Sequence, residues 1–226
     1  RRPWQGTKDK SEEINRISFD PSCYLCPGNK RAGGEKNPNY DGVDVFKNDF
    51  SALLENPYQS HNDGLFEAES ESGVSKVICS SPNHGLTLPL MELDAIKEVI
   101  RVWQKEYTLL GNEQEINHVQ IFENKGAVMG CSNPHPHGQI WAQRSIPQEV
   151  EKKTIKQKNH WNQNGSSLLG DYLKQEVQSG DRIILENETF VALVPYWAVW
   201  PFETMIIPKN HRVSIAELSV QEVRDY

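Results

Sequence analysis

A pattern of strand, proline, histidine and helix occurs twice in this chain, and such an internal repeat constrains the fold more strongly than any other sequence feature. Upstream of each copy, two apolar runs flank an Asn-acid turn, which predicts a strand, a turn and a second strand. The residues of the pattern are Asn48-Asp49, Val77-Ile78, Pro82 and His84 in the first copy, and Asn187-Glu188, Met205-Ile206-Ile207, Pro208 and His211 in the second. We therefore predict an α+β fold of two related halves, each a mostly antiparallel sheet with crossover helices.

The segments around these repeats divide the chain into three parts. Apolar residues at helical spacing from Leu90 to Leu110, with Gly111 as a stop signal, predict a helix, and residues 116–123 predict a strand. We predict a first half over residues 1–146, a connecting helical segment over 147–180 and an incomplete second half over 181–226. In the connecting segment, the Asn-rich stretch 159–165 predicts a loop between two helices. We expect the native chain to extend beyond both ends of this sequence, because its first residue is not Met and the second copy stops before its counterpart of the histidine-bearing strand.

The charge and hydropathy of the chain exclude several classes of partner. A formal net charge of -7 argues against a broad surface for nucleic acid, because such surfaces are usually basic. No stretch approaches the roughly 18 apolar residues that a membrane span requires, and the N-terminus lacks a secretory pattern. We predict a cytoplasmic protein that binds neither nucleic acid nor membrane.

Two histidines flank Pro136, and this proline indicates an extended segment. Proline fixes its own φ and biases the preceding residue toward extended backbone, so His135 and His137 are expected to face the same side. Small and turn-forming residues at 126 and 130–134 offer backbone amides that could hold a phosphate. The pattern predicts a phosphate site, and the alternative is a pair of histidines whose hydrogen bonds are satisfied within a turn.

The residues of this segment suit the transfer of a phosphorus group. A neutral imidazole attacks phosphorus well and remains a good leaving group afterwards. Gln139 follows two residues after His137 and offers an amide donor to a phosphoryl oxygen. A histidine at that position could instead act as an acid and assist hydrolysis. Gln139 therefore favours group transfer.

The pair Cys23 and Cys26 precedes a Pro-Gly turn and predicts half of a tetrahedral zinc site. His84 and His135 are the candidates for the other two ligands, which would give a closed structural site without a position for water. A redox dithiol is the competing interpretation, but no strand-helix-strand unit frames the motif.

Several stretches carry a resemblance to a known family: RPWQG at 2–6, CYLC at 23–26, KNPNY at 36–40, FKNDF at 46–50, FENKG at 122–126, GCSNPHPHGQIW at 130–141 and VPYWAVWPFETMIIPK at 194–209. Together they resemble the galactose-1-phosphate uridylyltransferases, a branch of the histidine-triad superfamily. The resemblance implies two histidine-triad-like halves, each a half-barrel, and a ping-pong reaction. The nucleophile would take a uridylyl group from UDP-glucose, release glucose 1-phosphate, and pass the group to galactose 1-phosphate to give UDP-galactose.

The resemblance also implies roles for individual residues. His137 would be the nucleophile, Gln139 would stabilise the covalent intermediate, and the His135 backbone would orient the His137 ring. One structural zinc per chain would be bound by Cys23, Cys26, His84 and His135. Substrate contacts are implied for Arg2, Leu25, Asn48, Asp49, Asn124, Gly130, Cys131 and Ser132, with Asn48 and Asp49 reading the ribose or the uracil.

Further implications concern assembly, a second metal and neighbouring activities. The family forms homodimers in which each active site is completed by the partner's C-terminal half. Support for a second metal such as iron is weak, because Lys153 stands at the position of a glutamate ligand, with Glu149 and Glu151 nearby. Two alternatives stay open: an adenylyl-transferring sugar-nucleotide phosphorylase or nucleotide hydrolase of the same superfamily, and a zinc-stabilised nucleotide-binding module without turnover.

Overall fold

A computed structural model describes residues 17–131 and 133–226 of the chain. They belong to two compact units that divide between Ser145 and Ile146. In the first unit the elements are β1 (Asp44–Lys47), β2 (His61–Asp63), β3 (Phe66–Ala68), β4 (Gly73–Cys79), α1 (Leu93–Gly111), β5 (His118–Phe122) and β6 (His137–Gln143). In the second unit they are α2 (Gln148–Asn164), α3 (Leu168–Ser179), β7 (Ile183–Glu186), β8 (Phe190–Leu193), β9 (Met205–Pro208) and α4 (Val220–Asp225). None of the described helices is long and apolar enough to cross a membrane.

The main sheet of the first unit has the strand order β1-β4-β6-β5, and every neighbouring pair is antiparallel. One face of this sheet packs against α1, whose apolar residues recur at helical spacing. The core on this side contains Ile78, Ile140, Ala142 and Leu110. Lys76 on β4 also reaches Glu106 on α1, with Nζ and Oε2 2.7 Å apart. The helix predicted to end at Gly111 and the strand predicted near 116–123 are both confirmed, the strand as the shorter β5.

The other face of the same sheet is covered by the turn that contains the paired cysteines. Its core consists of Cys23, Leu25 and Cys26 packed against Val77 and Cys79 of β4. The hydroxyl of Tyr40 donates a hydrogen bond of 2.6 Å to the carbonyl oxygen of Leu25. The sheet therefore lies between a helix on one side and a cysteine-bearing turn on the other.

The second unit has a smaller antiparallel sheet of strand order β7-β8-β9. Its core contains Val191, Leu193 and Ile207 from the sheet and Leu173 from α3. Ser167 caps the N-terminus of α3 by accepting a hydrogen bond from the amide of Gly170. Both units thus combine antiparallel sheets with helices, which confirms the predicted α+β class.

Two predicted local features are wrong. The stretch 159–165 was expected to form a loop, but α2 continues to Asn164 and ends only at Gly165, whose φ is 67°. Asn164 Nδ2 donates a hydrogen bond of 3.0 Å to the carbonyl oxygen of His160 one turn earlier, so the asparagine is satisfied within the helix. Asparagine is only weakly unfavourable in a helix, and one αL glycine suffices to end it.

The second incorrect feature is a strand after Asn48 in the first half. The Asn-acid turn forms in both halves, and Asn48 Oδ1 accepts the amide of Phe50 at 2.9 Å, while Asn187 Oδ1 accepts that of Phe190 at 2.7 Å. In the second half the chain continues into β8 and pairs with β7. In the first half β1 pairs directly with β4, and only an isolated bridge between Leu54 and Ser72 follows. The same turn residues therefore precede different strand pairings.

Candidate functional site

Four side chains from distant parts of the first unit form a buried cluster with the chemistry of a metal site. The ligand atoms of Cys23, Cys26, His84 and His135 all lie within 4.8 Å of one another. Cys26 Sγ is 3.5 Å from Nδ1 of both His84 and His135, and Cys23 Sγ is 3.9 Å from His135 Nδ1. Neighbouring ligands around tetrahedral zinc lie roughly 3.5 Å apart, given metal–ligand distances of about 2.0–2.3 Å. The cluster therefore fits a tetrahedral divalent cation.

The turn that carries the cysteines is held by hydrogen bonds from two asparagine side chains. Asn29 Nδ2 donates to the carbonyl oxygen of Cys23 at 2.8 Å, and Asn37 Nδ2 donates to that of Cys26 at 3.0 Å. The amide of Leu25 donates to Cys23 Sγ at 3.3 Å. Gly28 completes the turn with a φ of 71°, where a Cβ would lie 2.5 Å from the Asn39 side chain. The two sulfur atoms are thus placed by the turn itself.

Burial has opposite effects on the two kinds of ligand. It raises the pKa of the Cys26 thiol to about 11 and lowers the pKa of His135 to about 4. A neutral imidazole is the form that binds a metal ion, and a bound cation reverses the preference of the thiol by stabilising the thiolate. His135 Nε2 lies 2.9 Å from the Ser81 carbonyl oxygen. Because a carbonyl only accepts, Nε2 carries the proton and Nδ1 is free as a ligand.

His137 is the first residue of β6, and its ring is oriented by the backbone carbonyl group of His135, a residue of the metal cluster. Its Nδ1 lies 2.8 Å from the carbonyl oxygen of His135. Since that oxygen can only accept, Nδ1 is protonated and the lone pair is on Nε2. The same residue that presents its imidazole to the cluster therefore holds the His137 ring through its carbonyl group.

His137 and Gln139 both line a small cavity of about 120 Å³ on the face of the sheet that carries the cysteine turn. They are two residues apart on β6, where Gln139 pairs with Val77 and His137 with Cys79 of β4. The remaining lining residues are Tyr24, Leu25, Phe46, Asn48, Asp49, Phe50 and Val77. The cavity thus combines a histidine with a free Nε2, a neutral amide, a carboxylate and apolar walls.

The apolar walls of this cavity were not predicted from the sequence. Phe46 and Val77 are strand residues with the pattern of an ordinary core, and Tyr24 stands between the two cysteines. Phe50 is 75% exposed, which leaves its ring available at the cavity. The only sequence signal for Phe46 and Phe50 was their place in the FKNDF stretch that also contains Asn48 and Asp49.

Several predicted site residues lie elsewhere. Among the described residues, Asn124, Gly130 and Cys131 do not line the cavity and belong to the loop that precedes His135. Gly130 has a φ of 82°, and Cys131 Sγ lies 3.0 Å from the Asn133 carbonyl oxygen. Arg2 and Ser132 lie outside the described residues.

His135 and His137 both lie on the side of the sheet that carries the cysteine turn, but only His137 belongs to a strand. Strand β6 begins at His137, so the alternation of the strand does not reach back through Pro136. His135 is fully buried in the cysteine-histidine cluster, whereas His137 is partly exposed in the cavity. The two rings therefore lie in different environments.

A second overlooked residue is Glu123, which follows β5. Partial burial raises its pKa, while the charges of Lys125 and His137 act in the opposite direction. Its carboxyl group is therefore close enough to His137 for their charges to interact.

Comparison with known proteins follows the same division of the chain. Residues 1–147 match the family model described as galactose-1-phosphate uridyl transferase, N-terminal domain, and residues 148–226 match the C-terminal domain. Over 228 residues the chain is 51% identical to galactose-1-phosphate uridylyltransferase of Haemophilus influenzae, which covers all of this chain and 64% of that relative. The corresponding protein of Schizosaccharomyces pombe is 42% identical, with 100% of this chain and 66% of the relative covered. The chain thus spans slightly less than two thirds of the length of these relatives.

Solved structures with a similar fold include a uridylyltransferase and an ADP-glucose phosphorylase. A uridylyltransferase structure has a TM-score of 0.81 at 28% identity. The match covers 92% of this chain and 65% of the uridylyltransferase chain. An ADP-glucose phosphorylase from Arabidopsis thaliana with bound ADP-glucose has a TM-score of 0.71 at 26% identity. The match covers 92% of this chain and 66% of the phosphorylase chain.

Proposed function

Because the chain belongs to the galactose-1-phosphate uridyl transferase family, we propose that the protein transfers a uridylyl group from UDP-glucose to galactose 1-phosphate. The products are UDP-galactose and glucose 1-phosphate. The observation that carries this proposal is the tautomer of His137, whose Nδ1 donates to the His135 carbonyl at 2.8 Å. In the neutral ring the lone pair is therefore on Nε2, and the ring lines a cavity that Gln139 also lines. This is the form of histidine that attacks phosphorus.

The proposed reaction has two displacements at the same phosphorus atom. In the first, His137 Nε2 forms a bond to the α-phosphorus of UDP-glucose, and the bond from this phosphorus to the bridging oxygen breaks to release glucose 1-phosphate. In the second, a phosphate oxygen of galactose 1-phosphate attacks the α-phosphorus, and the bond to Nε2 breaks. The Gln139 amide donates to a non-bridging oxygen, and the Glu123 carboxylate favours the positively charged ring of the intermediate.

The cavity walls suit the nucleoside part of the substrate. Asn48 and Asp49 offer an amide and a carboxylate, which can read hydroxyl groups of a ribose or the polar edge of a uracil. The rings of Phe46 and Phe50 are apolar surfaces at the same cavity, and aromatic side chains stack on bases. We propose that Arg2, Asn124, Gly130, Cys131 and Ser132 contact the phosphates or the sugar.

We further propose that the cysteine-histidine cluster holds one structural zinc ion per chain. Bound zinc would stabilise the turn of Cys23 and Cys26 and join it to the loop that carries His135. All four ligands come from the protein, so the ion would have no open position for substrate. Its contribution to the reaction would be to fix the His135 carbonyl that orients His137.

The whole protein is proposed to be a homodimer whose partner subunit completes the sugar-phosphate site. Residues 181–226 would form the start of the second histidine-triad-like half, and residues 147–180 would connect the halves. Light scattering of the whole protein should give twice the mass of one chain. A stable monomer with full transfer activity would contradict this assembly.

A covalent labelling experiment tests the transfer reaction. The whole protein is incubated with UDP-glucose labelled at the α-phosphorus, without acceptor. We expect one equivalent of glucose 1-phosphate per active site and one equivalent of label on histidine, followed by no further release. His137→Gly should lose the label, and His61→Gly, the same change at an exposed histidine of β2, should retain it. Continuous release of glucose 1-phosphate would indicate a hydrolase instead.

The second candidate is adenylyl transfer, which the similarity to the ADP-glucose phosphorylase supports. Neither Asn48 nor Asp49 excludes an adenine by its chemistry alone. The same labelling experiment with ADP-glucose separates the two: stronger labelling from ADP-glucose than from UDP-glucose would favour the phosphorylase. Binding of nucleotide without any label from either sugar nucleotide would leave the protein as a zinc-stabilised binding module.

A further inference from the structure

Arg31 lies just outside the cavity, in the loop that follows the cysteine turn. This loop is closed by the Arg31 amide, which donates to the Glu35 carbonyl oxygen at 2.7 Å, and by a bridge between Lys30 and Lys36. The Arg31 side chain is only 10% exposed and forms an ion pair with Glu35. A buried guanidinium is costly unless it is paired, so this side chain has a fixed place in the fold.

The guanidinium contacts two of the cavity walls without lining the cavity. Its Cζ lies 4.4 Å from the centre of the Phe46 ring, and its Nε lies 3.8 Å from Asp49 Oδ2. Stacking of this kind holds an aromatic ring against a cation. Nε is buried and has no hydrogen-bond partner among the described residues, whereas Asp49 lies within ion-pair distance of it. Phe46 and Asp49 both line the cavity that contains His137.

Gly33 of the same loop holds Asp49 from a second direction. Its amide donates to Asp49 Oδ2 at 3.2 Å. A Cβ on Gly33 would lie 2.9 Å from Asp49 Oδ1, so the loop approaches the carboxylate too closely for a larger residue. The Asp49 side chain is consequently only 15% exposed. The loop of residues 31–35 therefore contacts Asp49 Oδ2 through both Arg31 and Gly33.

We propose that Arg31 is a positioning residue of the nucleotide site, which acts through Asp49 and Phe46 and does not itself touch the nucleotide. It orients the Asp49 carboxylate toward the hydroxyl and N–H donors of the nucleoside. It also neutralises a negative charge that would otherwise repel the diphosphate of the substrate. This inference rests on the proposed function and extends it to the loop after the cysteine turn.

The role of Arg31 predicts a selective loss of nucleotide affinity. Arg31→Gln should weaken the binding of UDP, measured by calorimetry on the whole zinc-loaded protein, at least about tenfold, as expected for losing an interaction with a charged group. In turnover, kcat/KM should fall more for UDP-glucose than for galactose 1-phosphate, because the uridylyl group is covalently held when the acceptor binds. Arg31→Lys should recover part of the loss, since it retains the charge without the planar stacking group.

Two further variants separate positioning from a general structural role. Lys30→Gln removes the neighbouring exposed charge and should leave UDP affinity unchanged. Gly33→Ala keeps every charge but displaces the Asp49 carboxylate, and it should weaken UDP binding even if Arg31→Gln fails to fold. Folding and zinc content are checked for each variant by thermal unfolding and metal analysis.

The outcomes distinguish this inference from the proposed function. If folded, zinc-loaded Arg31→Gln and Gly33→Ala bind UDP as tightly as the wild type, Arg31 is not a positioning residue. If both variants lose UDP affinity and Lys30→Gln does not, the inference is supported. If the wild-type protein neither binds UDP nor becomes labelled by UDP-glucose, the proposed function itself is wrong and the inference is rejected with it.

Discussion

His137 and Gln139 share one face of β6, and the groups around them determine how each side chain can react. The His135 carbonyl holds a proton of His137 on Nδ1, at 2.8 Å, so Nε2 is the atom that would attack phosphorus in the proposed transfer. Gln139 pairs with Val77 and lines the same cavity. An amide can donate a hydrogen bond to a phosphoryl oxygen but cannot deliver a proton to a leaving group or remove one from water. If the proposed covalent intermediate forms, Gln139 should therefore not promote its hydrolysis by water.

Gln139→His should convert part of the proposed transfer into hydrolysis. An imidazole beside the intermediate can act as a general acid or base, and such catalysis contributes about 10²–10⁴-fold. The measurement is release of UMP from UDP-glucose in the absence of galactose 1-phosphate, where we expect at least about a tenfold increase over the wild type. Gln120→His on β5, at an exposed position, is the matched control. Equal UMP release by all three proteins would show that the amide does not protect the intermediate.

At the scale of elements, the cysteine turn connects parts of the first unit that are distant in sequence. Cys23 and Cys26 meet His84, which follows β4, and His135, which precedes β6. The loop after the turn extends the same support to Asp49 through Arg31 and Gly33. A metal ion in the cluster would therefore stabilise the turn, both strand ends and the cavity together.

Cys23→Ser should remove the metal and destabilise the first unit. We expect about one zinc per chain in the wild type and much less in the variant, because a neutral hydroxyl is a poor replacement for a thiolate. A loss of several kcal/mol in a chain of this size corresponds to a decrease of roughly 10 °C in Tm. Elemental analysis and calorimetry measure the two effects. Cys131→Ser, at a cysteine outside the cluster, should change neither, and a metal-free but equally stable Cys23→Ser would refute the site.

At the scale of the whole molecule, the net charge of the protein disfavours the binding of polyanions but still allows the binding of a small phosphate ligand. The net charge of -7 is unfavourable for a long phosphate backbone. A single nucleotide can still bind, because the cavity provides local donors and apolar walls rather than a basic surface. The two compact units each have their own antiparallel sheet and core.

This charge distribution predicts that the protein binds UDP-glucose but not nucleic acid. In a polarisation assay at about 0.15 M salt, a labelled 30-nucleotide RNA or DNA should show no binding, since the net charge of -7 repels a polyanion. UDP-glucose should bind under the same conditions by calorimetry. Saturable RNA binding that weakens steeply with salt would reveal a basic surface that the net charge conceals.

Local sequence patterns were sufficient for the features that depend on neighbouring residues. Helix α1 follows from its apolar spacing and Gly111, and the common face of His137 and Gln139 follows from the two-residue period of a strand. The pattern failed where propensity is weak, as at 159–165, where α2 continues to Asn164. It also failed where the same Asn-acid turn leads to a hairpin in one half and to a single bridge in the other.

The sequence by itself therefore determined the α+β class, the histidine-glutamine face and the four candidate metal ligands. Only the tertiary structure decided that these four side chains lie together in one buried cluster and that His137 lines a cavity. It also decided which apolar residues form the walls of the cavity, namely Tyr24, Phe46, Phe50 and Val77. The ion pair between Arg31 and Asp49 likewise became visible only in the structure. The physical reason is that periodicity and turn chemistry are local, whereas a cavity depends on which distant segments pack against one face of a sheet. That packing is determined by the burial of the whole unit and cannot be derived from any one segment.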